Sequence, residues 1–136
     1  AEPEQAVRLM DCVVLIAEDE HQVRHTLANA LRTAGARVIE AADGRAAVAL
    51  AELEPHLDLV WTDVVMPGGG GRAVIDWVHA HRPGTPIIVS SGWSDEPSLR
   101  ADLAAGRHPF VPKPFTPGQA LAADLDAVSP VRSTDP

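Results

Sequence analysis

The feature that most constrains this chain is an alternation, repeated five times, of a short apolar run with a stretch of apolar residues at helical spacing. Cys12 to Ala17 (CVVLIA) is short and β-branched, as expected of a strand buried on both faces. His21 to Ala34 then carries Val23, Leu27, Ala30, Leu31 and Ala34 on one helical face, with Gly35 as a stop. Arg37 to Ala41 reads as a second strand. Asp43-Gly44 marks a turn, and the Ala- and Leu-rich stretch Arg45 to Leu53 reads as a helix ended by Pro55. Leu57 to Thr62 is the third strand. Met66-Pro67 and Gly68 to Gly71 read as a flexible lead-in to a helix over Arg72 to His81, with Val74, Ile75 and Val78 on one face. Pro86 to Ser90, a helix over Asp95 to Ala105, a short strand at Pro109 to Val111 and a helix over Pro117 to Val128 complete the series. Such an alternation predicts a parallel sheet covered by helices on both faces, with right-handed crossovers. In such sheets ligands bind outside the carboxyl ends of the strands, where the strand order reverses.

The chain has 136 residues, enough for one domain with a sizeable core. Residues 1–10 read as a linker or tag remnant, 11–128 as the domain and 129–136 as a flexible tail. The net charge of −8 argues against direct nucleic-acid binding, which needs clustered Lys and Arg. The one cysteine, Cys12, lies in an apolar run and reads as a buried thiol in a reducing, cytoplasmic setting. No apolar run approaches the roughly 20 residues that span a bilayer, so no membrane contact by this domain is expected.

What each strand delivers at its carboxyl end decides the chemistry. The first delivers Glu18, Asp19 and Glu20, the third Asp63, the fourth Ser90, Ser91 and Gly92; the fifth is followed by Lys113-Pro114-Phe115. Clustered carboxylates resist ionising together, and a hard divalent cation relieves the repulsion. Magnesium binds few carboxylates and shares its other positions with water and phosphate oxygens. A carboxylate not consumed by the metal can attack a phosphoryl group and form an aspartyl phosphate. Taken singly, the acids after the first strand also read as a helix N-cap, and Asp63 as a turn residue. The glycine run lacks the Lys and Ser/Thr of a phosphate-binding loop. His79 and His81 are two apart on a helix and do not face the same way.

The segments VLIAEDE, LVWTDVVMP, IIVSSG and FVPKPF, in this order, resemble the receiver domain of two-component response regulators, over roughly residues 12 to 128. The resemblance implies a flavodoxin-like doubly wound sheet of order 2-1-3-4-5 with five helices. It implies Asp63 as phosphoryl acceptor, with Glu18, Asp19, Asp63 and the Val65 carbonyl binding Mg2+, for which Mn2+ can substitute. Ser91 matches the hydroxyl that meets the phosphoryl group, Phe110 the aromatic switch position, and Lys113 the family lysine, before a cis Lys113–Pro114 bond. The implied partner is a histidine kinase or histidine phosphotransfer protein. The implied switching face comprises the Asp95–Ala105 helix, the fifth strand and the last helix.

Two departures stand out. The metal-binding pair is Glu-Asp, where Asp-Asp is commoner. Val65 and Trp93, where the family tunes phosphate loss, offer no group to orient a water, so the domain is expected to catalyse its own phosphorylation and only slow dephosphorylation. SGWSDEPSLR followed by FVPKPFTP further resembles receivers at the end of hybrid sensor histidine kinases. A free-standing regulator is the alternative. An enzyme of another class, a small magnesium-dependent aspartyl-phosphate phosphatase or phosphotransferase, resembles D-x-D after its first strand, whereas this chain has A-E-D-E there.

Overall fold

In the computed structural model, the described residues are 9–64, 66, 70–91 and 108–133; the side chains of 91 and 129–133 are outside that description. Five strands form one parallel sheet: β1 (Val13–Ala17), β2 (Arg37–Ala41), β3 (Leu59–Asp63), β4 (Ile87–Ser91) and β5 (Phe110–Pro112). Their order is β2-β1-β3-β4-β5, the flavodoxin-like order expected. Four helices are described: α1 (His21–Thr33), α2 (Gly44–Leu53), α3 (Gly70–His81) and α4 (Pro117–Ser133). The helix expected over Asp95–Ala105 lies outside the described residues.

The strand residues alternate between two cores, which is why the central strands read as unbroken apolar runs. Val14, Ile16, Leu59, Trp61 and Ile88 face one side, where Leu27, Ala28 and Leu31 of α1 and Ala120, Leu125 and Val128 of α4 cover them. Leu15, Ala17, Val60, Ile87 and Val89 face the other, against Ala47 and Ala51 of α2 and Val74, Ile75 and Val78 of α3. Trp61 is fully packed and meets Phe115 edge-on at 5.3 Å between ring centroids. Cys12 is buried, as expected.

Several boundaries move, each for a local reason. β3 starts at Leu59, two residues later than expected, because Leu57 and Asp58 act as a clasp. Asp58 Oδ2 accepts from the Val13 N–H at 2.8 Å, and the Leu57 carbonyl accepts from Thr85 Oγ1 at 3.2 Å. α2 begins at Gly44, capped by the Asp43 carboxylate, which accepts from the Ala46 N–H at 2.6 Å. α4 runs on through Pro130 to Ser133, so residues 129–133 are helical where a tail was expected.

The glycine run is a sharper correction. Gly70 and Gly71 are not a flexible lead-in but the first residues of α3, packed on the end of β3. Gly70 has φ of +65°, and a Cβ on Gly71 would collide with the Asp63 carbonyl oxygen and lie 3.0 Å from Val64 Cα. The Gly71 N–H donates to the Val64 carbonyl at 2.9 Å. The absence of side chains here lets α3 start directly behind Asp63.

Candidate functional site: an acidic pocket with one lysine

The order reversal falls between β1 and β3, whose carboxyl ends therefore form a crevice. Glu18 and Asp19 follow β1, and Asp63 is the last residue of β3. The ligand oxygens of Glu18, Asp19 and Asp63 all lie within 4.8 Å of one another; Glu18 and Asp63 are buried and Asp19 is exposed. From beyond β5, Lys113 reaches in. Its Nζ is 2.6 Å from Glu18 Oε1, 3.0 Å from Asp63 Oδ2 and 3.3 Å from Glu20 Oε1. The Lys113–Pro114 bond is cis, as the resemblance implied.

Backbone groups hold the carboxylates in place. Asp63 Oδ1 accepts from the Val64 N–H at 2.7 Å, and Glu18 Oε2 accepts from the Glu20 N–H at 2.9 Å. Thr62 Oγ1 donates to the Asp63 carbonyl at 2.9 Å. Arg24, which sequence reading passed over, donates from Nη1 to the Glu18 carbonyl at 2.9 Å and pairs with Glu40 of β2. A signal for it existed: Arg24 lies one helical turn after Glu20, on the side of α1 that returns to β1.

Charge is unevenly balanced in the pocket. Burial pushes the Glu18 carboxyl up to about 7, against lowering contributions from Lys113 and the Glu20 N–H; the Asp63 charge raises it further. Burial also works against the Lys113 ammonium, but its contacts with Glu18 and Asp63 outweigh that and hold its pKa above the usual lysine range. Glu18 Oε1 makes the shortest of the three ion pairs with Lys113. Three carboxylates facing one ammonium leave uncompensated negative charge. The donor set is all oxygen, which fits a hard divalent cation.

The expected groups do not all fall within the described structure. Glu18, Asp19, Asp63 and Lys113 come together. Ser91 ends β4 with its Cα opposite Pro112, the residue before Lys113, while its side chain is outside the description. Val65 and Trp93 are also outside it. Phe110 starts β5 and is 40% exposed, pointing out of the core.

A doubly wound five-stranded sheet with an acidic pocket and a lysine at its carboxyl edge defines the class of CheY-like α/β domains. More narrowly, residues 14–124 match the model of the response regulator receiver domain, and the chain belongs to that family. It is 38% identical over 120 residues to the transcriptional regulatory protein PdtaR of Mycobacterium tuberculosis, covering 88% of this chain and 58% of that protein. It is 36% identical over 104 residues to the sensor kinase CckA of Brucella abortus, covering 76% of this chain and 11% of that protein. The chain thus spans less than two thirds of the length of these relatives. A CheY-like receiver domain from Methanospirillum hungatei superposes with a TM-score of 0.82 at 22% identity, over 92% of this chain and 99% of that one, and shows the shared fold. The protein is a receiver domain of the two-component kind. Among the described residues no helix is long and apolar enough to cross a membrane.

Proposed function

We propose that Asp63 accepts a phosphoryl group from a phosphohistidine on a histidine kinase or histidine phosphotransfer protein, in a cytoplasmic phosphorelay. The observation that carries this reading is the convergence of Asp63 Oδ2 with Lys113 Nζ at 3.0 Å, beside the Glu18–Asp19–Asp63 cluster. Glu18, Asp19, Asp63 and the Val65 carbonyl would hold Mg2+. When bound, that ion supplies charge neutralisation at the phosphoryl oxygens.

This chain's own groups do the rest. One Asp63 carboxylate oxygen attacks phosphorus, the P–N bond to the donor histidine breaks, and the imidazole nitrogen keeps the electron pair and takes a proton. The Val64 N–H holds the other oxygen, which fixes the angle of attack. Lys113 pairs with the incoming phosphoryl oxygens as its hold on Asp63 loosens. Ser91 meets the phosphoryl group, and Phe110, now outward, turns in to fill the space. The face made by the Asp95–Ala105 segment, β5 and α4 then changes arrangement, because the phosphoryl group interacts more favourably with one arrangement than the other. Val65 and Trp93 give water no orienting group, so the aspartyl phosphate is long-lived. The segment that resembles the receivers of hybrid sensor kinases supports such a kinase as the parent chain, and the Brucella relative is named a sensor kinase.

Beryllofluoride with Mg2+ mimics an aspartyl phosphate and tests the assignment. Stoichiometric binding to the native chain and none to Asp63→Asn is the expected result. Equal binding to both would overturn it.

A further inference from the structure

The two carboxylates of the Glu18–Asp19 pair hang from the two Cα atoms of one planar peptide unit, so the orientation of that unit sets where both side chains begin. Its carbonyl, that of Glu18, accepts from Arg24 Nη1 at 2.9 Å. The peptide before it is fixed as well, because the Glu18 N–H donates to the Ala41 carbonyl at the end of β2 at 3.0 Å. The turn from β1 into α1 is thus tied down at the residue that opens the acidic pocket.

Arg24 is itself held in place. Its Nε donates to Glu40 Oε1 at 3.3 Å, and its Nη2 lies 3.0 Å from His21 Nδ1. Glu40 is fixed in turn by Arg32, whose Nη1 donates to Oε2 at 3.0 Å. The Arg24 side chain is 15% exposed, so these bonds are largely shielded from water. One guanidinium therefore joins β2, the first turn of α1 and the Glu18–Asp19 peptide. A rigid planar fork can serve three fixed directions at once; a lysine ammonium, a point charge on a flexible stem, cannot. Glu40 answers the Arg24 charge, so what Arg24 gives the pocket is position rather than added positive charge.

We infer that Arg24 is a positioning residue for the Glu18–Asp19 pair and sets the preference of the pocket for Mg2+ over a larger cation such as Ca2+. The inference rests on the reading that this pocket holds Mg2+. Mg2+ demands near-octahedral ligands at about 2.0–2.1 Å, whereas Ca2+ accepts a flexible shell at about 2.3–2.6 Å. A peptide free to rotate lets the two carboxylates drift apart, which the smaller ion tolerates least. Glu18 sharpens the need: it has one more side-chain torsion than an aspartate, and a fixed backbone narrows where its oxygens can go. Groups that orient metal ligands without touching the metal are worth roughly 10- to 100-fold in affinity. Tying α1 to β2 is a structural task that Arg32 shares through the same Glu40. The other bond of Arg32, however, goes to the Val38 carbonyl at 3.3 Å rather than to Glu18. Arg32 is therefore the control.

The test is a pair of titrations of the full chain, one with Mg2+ and one with Ca2+, read from the amide NMR shifts of Asp19 and Val64. Arg24→Lys keeps the charge and should weaken Mg2+ binding by about tenfold or more. Ca2+ binding should change much less, so the ratio of the two affinities falls. Arg32→Lys should leave the ratio at its native value. A general loss of stability does not move this ratio, because unfolding scales both affinities alike. Glu40→Ala frees the guanidinium without removing it and should lower the ratio to a lesser degree, which decides the matter if Arg24→Lys does not fold. A native ratio in Arg24→Lys or Glu40→Ala, or an equal fall in Arg32→Lys, would overturn the role of Arg24. Failure of the native chain to bind Mg2+ would instead overturn the metal reading of the pocket, and this role with it.

Discussion

Lys113 Nζ lies 3.0 Å from Asp63 Oδ2 and 2.6 Å from Glu18 Oε1, so a single ammonium occupies the place where added positive charge would bind. It both stabilises the pocket and competes with a cation there. Lys113→Met should therefore bind Mg2+ more tightly than the native chain. The same variant should accept phosphoryl groups more slowly by about 10²-fold or more, the usual cost of removing one donor aimed at developing charge. Calorimetric Mg2+ titration and single-turnover phosphotransfer measure the two effects. Parallel losses in both would contradict this division of roles.

Stability should depend on pH through Glu18. Burial raises its folded carboxyl to about 7 from an ordinary 4.5. Between those values the folded chain holds a proton that the unfolded chain has released. The contribution of Glu18 to stability is then greatest below pH 4.5, declines as pH rises towards 7, and levels off above it. Mg2+ at the pocket should displace that proton and remove the decline. Thermal unfolding from pH 4.5 to 8 in chelator, compared with saturating Mg2+, tests this, and Glu18→Gln should flatten the chelator curve.

The fold was legible because strand and helix periodicities differ and the glycines and prolines punctuate them. The carboxyl-end residues Glu18, Asp19, Asp63 and Lys113 were legible because a parallel sheet delivers all its strand ends to one edge. What sequence did not reveal depends on close packing. The glycine run looked loose, yet Gly71 is pressed against the Asp63 backbone, a contact with no local signature. Arg24 belongs to no motif, yet it bonds the Glu18 carbonyl across the start of α1. Asp124 belongs to no motif and sits on the last helix without a local signal, yet it is wholly buried.

Asp124 yields a stability prediction of its own. Among the described residues neither buried carboxylate oxygen has a hydrogen-bond partner, and burial pushes its pKa well above the ordinary aspartate range. An unpaired buried polar group costs about 1–3 kcal/mol in proteins. Asp124→Ala removes that cost, improves helix propensity and leaves only a small void. The variant should be more stable by about 1–2 kcal/mol, or roughly 4 °C in midpoint per kcal/mol for a chain of this size. Its advantage should widen as pH rises from the ordinary aspartate value, because ionisation then opposes burial in the native chain alone. Thermal unfolding at acid and neutral pH measures both; a destabilised variant would mean that the carboxyl has a role the packing does not reveal.

Gly71 sets two opposing effects against each other. Replacing a helical glycine by alanine ordinarily stabilises by about 1 kcal/mol through backbone entropy and propensity. At Gly71 the new methyl would strike the Asp63 carbonyl oxygen and approach the Asp63 carbonyl carbon to 3.2 Å. Those atoms belong to the end of a fully buried strand and cannot swing aside as a flexible side chain would. Overpacking against such a site costs about 1–3 kcal/mol, so the clash prevails and Gly71→Ala should be less stable. The displacement falls on Asp63 itself, so phosphoryl acceptance should fall further than stability alone explains. Gly84→Ala is the matched control, since a Cβ there meets nothing within 4 Å and should leave both properties unchanged. Denaturant unfolding and beryllofluoride binding on the two variants decide the point. Similar stability and binding in both would mean that α3 can move away from β3 without cost.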